Sequence, residues 1–377
     1  MPTNSATTRS TRASRSASRT TRKNPPGPAG ATPSAGRLLD FYRQMVLIRR
    51  FEERAARAYT EAKIGGYCHL NLGEEATVVG LMAALEETDY LFTNYREHGY
   101  AIARGIAPER VMAELYGRTD GVSRGWGGSM HMFDIGTRFM GGYGIVGGQV
   151  PLATGAALAI DYRGGSEVAM CLMGDGTTNI GAFHESLNIA ALWDLPIVYV
   201  IVNNGLGMGT TVEQSSAEPA LYKRAAAYRM ASARVDGNDP VAVHQATRVA
   251  LAEARRGKPY LLETVSGRLK GHSVVDPAKY RSKEEAQALK AADPIARYAV
   301  RLSEEGLLTD ALIAEIDTEA TAAAGAAAAF ADASPHPEVS TLFDYTYATP
   351  VPNDARRLPG DALFPAAPRP TVPHPGV

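Results

Sequence analysis

Two continuously apolar runs separated by an amphipathic stretch dominate the middle of the chain. Residues 168–173 and 195–202 are apolar apart from Pro196, the pattern of strands buried on both faces. Between them Ile180, Phe183, Leu187, Ile189 and Leu192 recur near the helical period, and Pro196 stops helix propagation. The interval is long enough for the crossover that parallel neighbours need. Similar patterning predicts helices over 38–63, 75–85, 149–162, 240–256, 293–304 and 310–331, with Thr309 as N-cap of the last, and strands over 90–93 and 260–265. Strands alternating with helices predict an α/β chain: a doubly wound, mostly parallel sheet flanked by helices.

The ends of the two apolar runs carry the first candidate chemistry. Gly174-Asp175-Gly176 follows one and Asn203-Asn204 the other. If the strands are neighbours, their carboxyl ends lie about 4.8 Å apart. Asp175 and Asn204 then project oxygens into one crevice, a donor set suited to a hard divalent cation such as Mg²⁺. Gly176 opens the following helix, whose free N–H groups at about Thr177 to Asn179 can hold a diphosphate.

Other loops add groups of the same kind. His69 lies in Tyr67-Cys68-His69-Leu70-Asn71-Leu72-Gly73-Glu74-Glu75, ahead of the second helix. After the strand at 90–93, Tyr95 offers a hydroxyl and Arg96 a planar fork suited to phosphate, with Glu97 and His98 read as loop-fixing groups. Residues 142–147 fit G-x-G-x-x-G, but 133–140 is broken by Asp134, Gly136 and Arg138, so no strand is expected before it and a dinucleotide fingerprint is rejected. The helix at 149–162 carries Ala153, Gly155, Ala156, Ala157 and Ala159, which suits either a subunit contact or close packing on the sheet. Gly205 to Gly209 reads as a mobile turn, and the polar loop 267–281 contains a second histidine, His272.

Composition narrows the partners. The net charge is −1, yet residues 1–36 hold five Arg, one Lys and no acid, leaving the remainder at −7. That segment has no Leu, Ile, Val or aromatic residue and cannot offset the entropy of ordering. It reads as a disordered basic arm on a bacterial cytoplasmic protein, since a transit helix needs an apolar face; a transit peptide would instead place the chain in the mitochondrial matrix. Without aromatic residues for stacking, the arm does not indicate nucleic acid. No apolar run approaches the length of a membrane span. Two cysteines, Cys68 and Cys171, fit a reducing compartment. The expected division is 1–36 as the arm, 37–305 as the α/β domain, 306–349 as a helical extension and 350–377, with eight prolines, as an extended tail.

GDG followed at this interval by NN resembles the signature of thiamine diphosphate enzymes. With NNGLGMGT, GGSMHMF, GIVGGQVPLATGAALA and GHSVVDPAKYRS, the chain resembles, over roughly residues 38–302, the alpha subunit of the decarboxylating first component of 2-oxo acid dehydrogenase complexes, the pyruvate type above all. The resemblance implies the diphosphate-binding half of the thiamine diphosphate fold. It implies His272 and His69 as catalytic residues, with Tyr67 and His69 bordering the cofactor and the 2-oxo acid. Tyr95, Arg96 and His272 would contact the diphosphate, Gly144 and Val146 the two rings, and Asp175, Gly176, Thr177 and Asn204 the remainder. Mg²⁺ would rest on Asp175, Asn204 and the backbone carbonyl of Leu206.

Relatives usually carry a larger residue where Gly205 stands and often Tyr at Leu206, a change that a carbonyl contact tolerates. Ser273 matches a serine phosphorylated in mitochondrial relatives, but Lys279 replaces a further one, so kinase control is not expected. No signature of the glutamate that activates the aminopyrimidine is found. The resemblance places that acid on a beta subunit, in an α2β2 tetramer that passes an acyl group to a lipoyl-bearing acyltransferase. An acetoin-cleaving or branched-chain 2-oxo acid relative, a nicotinamide-dependent Rossmann oxidoreductase and a noncatalytic paralogue are the competing readings.

Overall fold

The computed structural model describes residues 33–342 and 344. The expectations for residues 1–32 and for the proline-rich 350–377 lie outside them. The chain divides into two units, one ending at Pro335 and one beginning at His336. In the second, the described residues include a 3-10 turn, Val339–Thr341.

Among the described residues eight strands occur in chain order: β1 (Tyr90–Asn94), β2 (Phe139–Tyr143), β3 (Ala169–Gly174), β4 (Ile197–Asn203), β5 (Leu206–Gly207), β6 (Thr210–Thr211), β7 (Ala231–Asp236) and β8 (Tyr260–Val265). Six of them form one parallel sheet in the order β2-β1-β3-β4-β8-β7. The apolar runs of the sequence are its central pair, β3 and β4. Their alternate residues enter two cores: Met170, Leu172, Val198 and Val200 on one face, Cys171, Met173, Tyr199 and Ile201 on the other. Both faces are buried, which is why these strands show no polar alternation.

Helices cover each face. On the first, Phe41, Met45, Ile48 and Phe51 of helix Ala35–Thr60 pack with helices Glu75–Met82 and Pro240–Arg255. Helix Asp310–Ala333, capped by Thr309, adds Ile316, Ala320, Ala327 and Ala331 to the same core. On the second face lie helices Gln149–Arg163 and Gly181–Leu192, through Val150, Ala153, Ala157, Phe183 and Leu187.

The structure departs from the sequence expectations at several points. The crossover helix does not begin at Gly176. A 3-10 turn, Asp175–Asn179, comes first, tightened by the Thr178 hydroxyl donating to the Asp175 carbonyl at 2.7 Å, and the α-helix starts at Gly181. The segment read as a turn at Gly205 to Gly209 is part of the short β5–β6 hairpin, residues 206–211, with Met208 at φ 55°. A strand, β2, does precede the glycine run at 142–147. It lacks an apolar signature because Gly142 lies against the Glu97 carboxylate, where an added Cβ would sit 2.0 Å from Oε2. Helices His98–Ala103, Pro108–Leu115 and Lys283–Ala291 and the edge strand β7 were not anticipated.

Candidate active site

The parallel register of β3 with β4 pairs Gly174 with Val202, so Asp175 and Asn204 leave adjacent strand tips on the same edge of the sheet. The two asparagines then diverge. Asn203 turns into the sheet, its Nδ2 donating to Glu263 Oε1 at 2.7 Å, while Asn204 lines the crevice. Gly176 N donates to Asp175 Oδ1 at 2.6 Å, whereas Asp175 Oδ2 is buried with no hydrogen-bond partner. Burial raises the Asp175 pKa, against the lowering effect of Gly176 N–H and Arg268. An acceptor that is both buried and unpaired is costly unless a cation meets it.

Opposite these tips stands a cluster of rings. His69 packs against Tyr95 with ring centroids 4.5 Å apart and against His272 at 5.1 Å. His69 Nδ1 and His272 Nδ1 are both buried and unpartnered. Burial, and then the Arg96 guanidinium, push the His69 pKa down to about 3 and that of His272 to about 4, so both imidazoles are neutral near pH 7. Arg96 binds the two histidine loops together: its NH1 donates to Leu70 O at 2.5 Å and its NH2 to His272 O at 2.9 Å.

The residues that the resemblance assigns to catalysis, cofactor and metal all line one cavity of about 720 Å³. Asp175, Gly176, Thr177, Asn204 and Leu206 line it together with Tyr95, Arg96, His69 and His272, with Gly144 and Val146, and with exposed Tyr67. Arg268, Glu74 and Gln149 are among the lining residues that sequence reasoning missed. Arg268 is buried and spans to the hairpin, its NH1 donating to Leu206 O at 3.3 Å and its NH2 to Met208 O at 3.0 Å. Glu74 accepts from Asn204 Nδ2 at 2.9 Å. Gln149 anchors Nε2 on Leu172 O and leaves Oε1 buried without a partner. The signals available were an arginine four residues before His272 and the paired acids after Gly73.

These groups fit a metal-bound diphosphate. Asp175, the Asn204 amide and the Leu206 carbonyl make an all-oxygen donor set of the kind that Mg²⁺ takes. An added Cβ at Gly174 or Gly176 would meet nothing within 4 Å, so the backbone there is open to a ligand. Two guanidiniums, Arg96 and Arg268, and two neutral imidazoles line the same space and offer N–H groups to phosphate oxygens.

Residues 43–340 match the family model described as the dehydrogenase E1 component. The chain belongs to the dehydrogenase E1 component family. Among curated members, it is similar to the pyruvate dehydrogenase E1 component subunit alpha of Rhizobium meliloti, with 44% identity covering 87% of this chain and 97% of that one. The namesake from Zymomonas mobilis is 44% identical over 85% of this chain and 91% of its own. The mitochondrial somatic form from Homo sapiens is 43% identical over 84% and 81%. Within the dehydrogenase E1 component family match fall the whole cavity and both faces of the sheet.

Proposed function

We propose that this chain is the alpha subunit of a thiamine diphosphate- and Mg²⁺-dependent pyruvate dehydrogenase. In this reading it catalyses decarboxylation of pyruvate and transfer of the acyl group to the lipoyl arm of an acyltransferase. The observation that carries the reading is the unpaired, buried Asp175 oxygen beside Asn204 at adjacent strand tips, facing two arginines and two histidines across one cavity.

When bound, thiamine diphosphate supplies the electron sink for loss of CO₂ from the 2-oxo acid. This chain's residues bind and orient. Asp175, Asn204 and Leu206 O hold the cation. Arg96, Arg268, Tyr95 and the N–H groups after Gly176 take the diphosphate charge. His69 and His272, neutral at physiological pH, line the same cavity and offer their ring nitrogens to a 2-oxo acid bound there. Gly144 and Val146 border the cofactor rings.

The acid that activates the aminopyrimidine would come from a beta subunit, with the site completed in an α2β2 tetramer. Exposed Ile145, Leu152, Leu158, Tyr162, Leu192 and Trp193 supply apolar surface for assembly. Two buried cysteines suit a reducing compartment such as a bacterial cytoplasm.

Co-purification with a beta subunit, followed by a reductive acylation assay on a lipoyl domain, tests the proposal. Pyruvate should be the preferred substrate over branched-chain 2-oxo acids and acetoin. Turnover without thiamine diphosphate, or preference for another of these substrates, would overturn it.

A further inference from the structure

Glu74 meets one edge of the Asn204 side-chain amide. Glu74 is buried, and its Oε1 accepts from Asn204 Nδ2 at 2.9 Å. Glu74 Oε1 is the acceptor in this bond, so the amide edge that faces it is the nitrogen. The other edge is the oxygen, and Leu206 N–H reaches it only at 3.4 Å, which leaves lone-pair capacity open. Turned over, the amide would set its oxygen against Glu74 and its NH₂ in the crevice.

Glu74 is itself held. Its backbone N–H donates to Asn71 O at 2.9 Å. The next residue, Glu75, takes Gly73 N at 2.9 Å and Arg49 Nε at 2.6 Å, and Arg49 pairs with Asp293 at 2.8 Å. Although Glu74 precedes helix Glu75–Met82, its side chain makes no capping bond there. Helix capping therefore does not account for the acid; its Oε2 accepts from Asn71 Nδ2 at 3.4 Å and lies 3.9 Å from Arg96 Nε, which leaves Oε1 to Asn204.

We propose that Glu74 is a positioning residue for the cation site, locking Asn204 so that oxygen rather than nitrogen faces the metal beside Asp175. The inference rests on the metal reading of the preceding subsection. It extends that reading to a cavity-lining residue that acts through Asn204.

The test is titration of the complex of this chain with its beta subunit with Mn²⁺ at saturating thiamine diphosphate, read from the free-ion electron paramagnetic resonance signal. Wild type should bind Mn²⁺, with Mg²⁺ competing. Glu74→Leu should weaken Mn²⁺ binding roughly tenfold to a hundredfold, the range for an outer-shell partner of a metal ligand. Glu74→Gln, whose carbonyl still accepts from Asn204 Nδ2, should stay near wild type. Asn204→Asp sets two carboxylates face to face and should lose affinity, and adding Glu74→Gln should restore it by supplying an N–H donor. A merely structural role predicts no such reciprocal rescue. Wild-type affinity in Glu74→Leu, or a double variant no better than Asn204→Asp alone, overturns the inference while leaving the metal reading intact. If Glu74→Leu does not fold, the Asn204→Asp pair decides. Absence of thiamine diphosphate-dependent Mn²⁺ binding in wild type removes the metal reading and this inference together.

Discussion

His69 and His272, on loops far apart in the chain, meet edge to face with ring centroids 5.1 Å apart, each with a buried Nδ1 that has no partner. Burial first, and Arg96 second, hold their pKa values at about 3 and about 4, below the ordinary 6.5 of histidine. The unfolded chain therefore binds more protons than the folded one below that ordinary value. The stability tied to these groups is complete above it and is lost as pH falls toward the folded values. Replacing both with Asn should flatten the acid limb of a plot of thermal midpoint against pH. Parallel curves for variant and wild type would contradict this account. The same substitutions should depress turnover far more than stability at neutral pH, by the 10²-fold or more typical of lost proton-transfer groups.

Asp175 separates ligand binding from folding. Its carboxylate is buried with one oxygen unpaired, a net cost to the ligand-free chain. Asp175→Ala should therefore leave the ligand-free thermal midpoint unchanged or higher at neutral pH. It should also abolish stabilisation by Mg²⁺-thiamine diphosphate, worth about 2.7 kcal/mol at a hundredfold excess over Kd in a chain that binds it. Differential scanning calorimetry with and without the ligand pair reads both. Wild-type stabilisation surviving in the variant would remove Asp175 from the site.

How much of this was legible beforehand follows from what each residue depends on. Asp175 and Asn204 could be read because the strands that present them are buried on both faces and announce themselves as apolar runs. Strand β2 could not, since Gly142 is shaped by the Glu97 carboxylate across it. Strand β7 is an edge strand, ASARVD, none of whose residues is buried, and it lacks the apolar run of a central strand. Helices His98–Ala103 and Pro108–Leu115 are too short for a period to register. Arg268 was hidden for a different reason: its partners are the carbonyls of Leu206 and Met208, which only the folded hairpin brings near.

Glu114 organises the glycine-rich segment that leads to the cavity. Its Oε1 accepts from Gly127 N at 2.7 Å and Gly128 N at 3.1 Å, and its Oε2 from Ser123 N at 2.7 Å and Gly125 N at 2.9 Å. An amide of the same shape offers one acceptor and sets an NH₂ against two donors. Glu114→Gln should thus cost about 2 kcal/mol or more, since a stranded buried donor costs about 1–3 kcal/mol. Chemical denaturation measures the loss. Met130 follows this segment and lines the cavity, so cofactor affinity should fall as well. A neutral effect on both would show that the segment holds its shape without the carboxylate.

The outer face of helix Gln149–Arg163 provides the last prediction. The sequence left open whether its small residues serve the sheet or a partner, and the structure divides them. Ala153 and Ala157 pack on the sheet, while Gly155 and Ala159 are exposed together with Leu152, Leu158 and Tyr162. A Cβ at Gly155 would meet nothing within 4 Å, so a larger side chain there has no clash inside the subunit. Removing a glycine from a helix interior even favours the helix, by up to about 1 kcal/mol. Gly155→Leu should therefore keep or raise the thermal midpoint of the isolated chain. If a partner helix approaches this face closely, the same substitution should block co-purification with the beta subunit, read by size-exclusion chromatography with light scattering. Assembly unchanged in Gly155→Leu and in Ala159→Glu would mean that this helix face makes no close subunit contact.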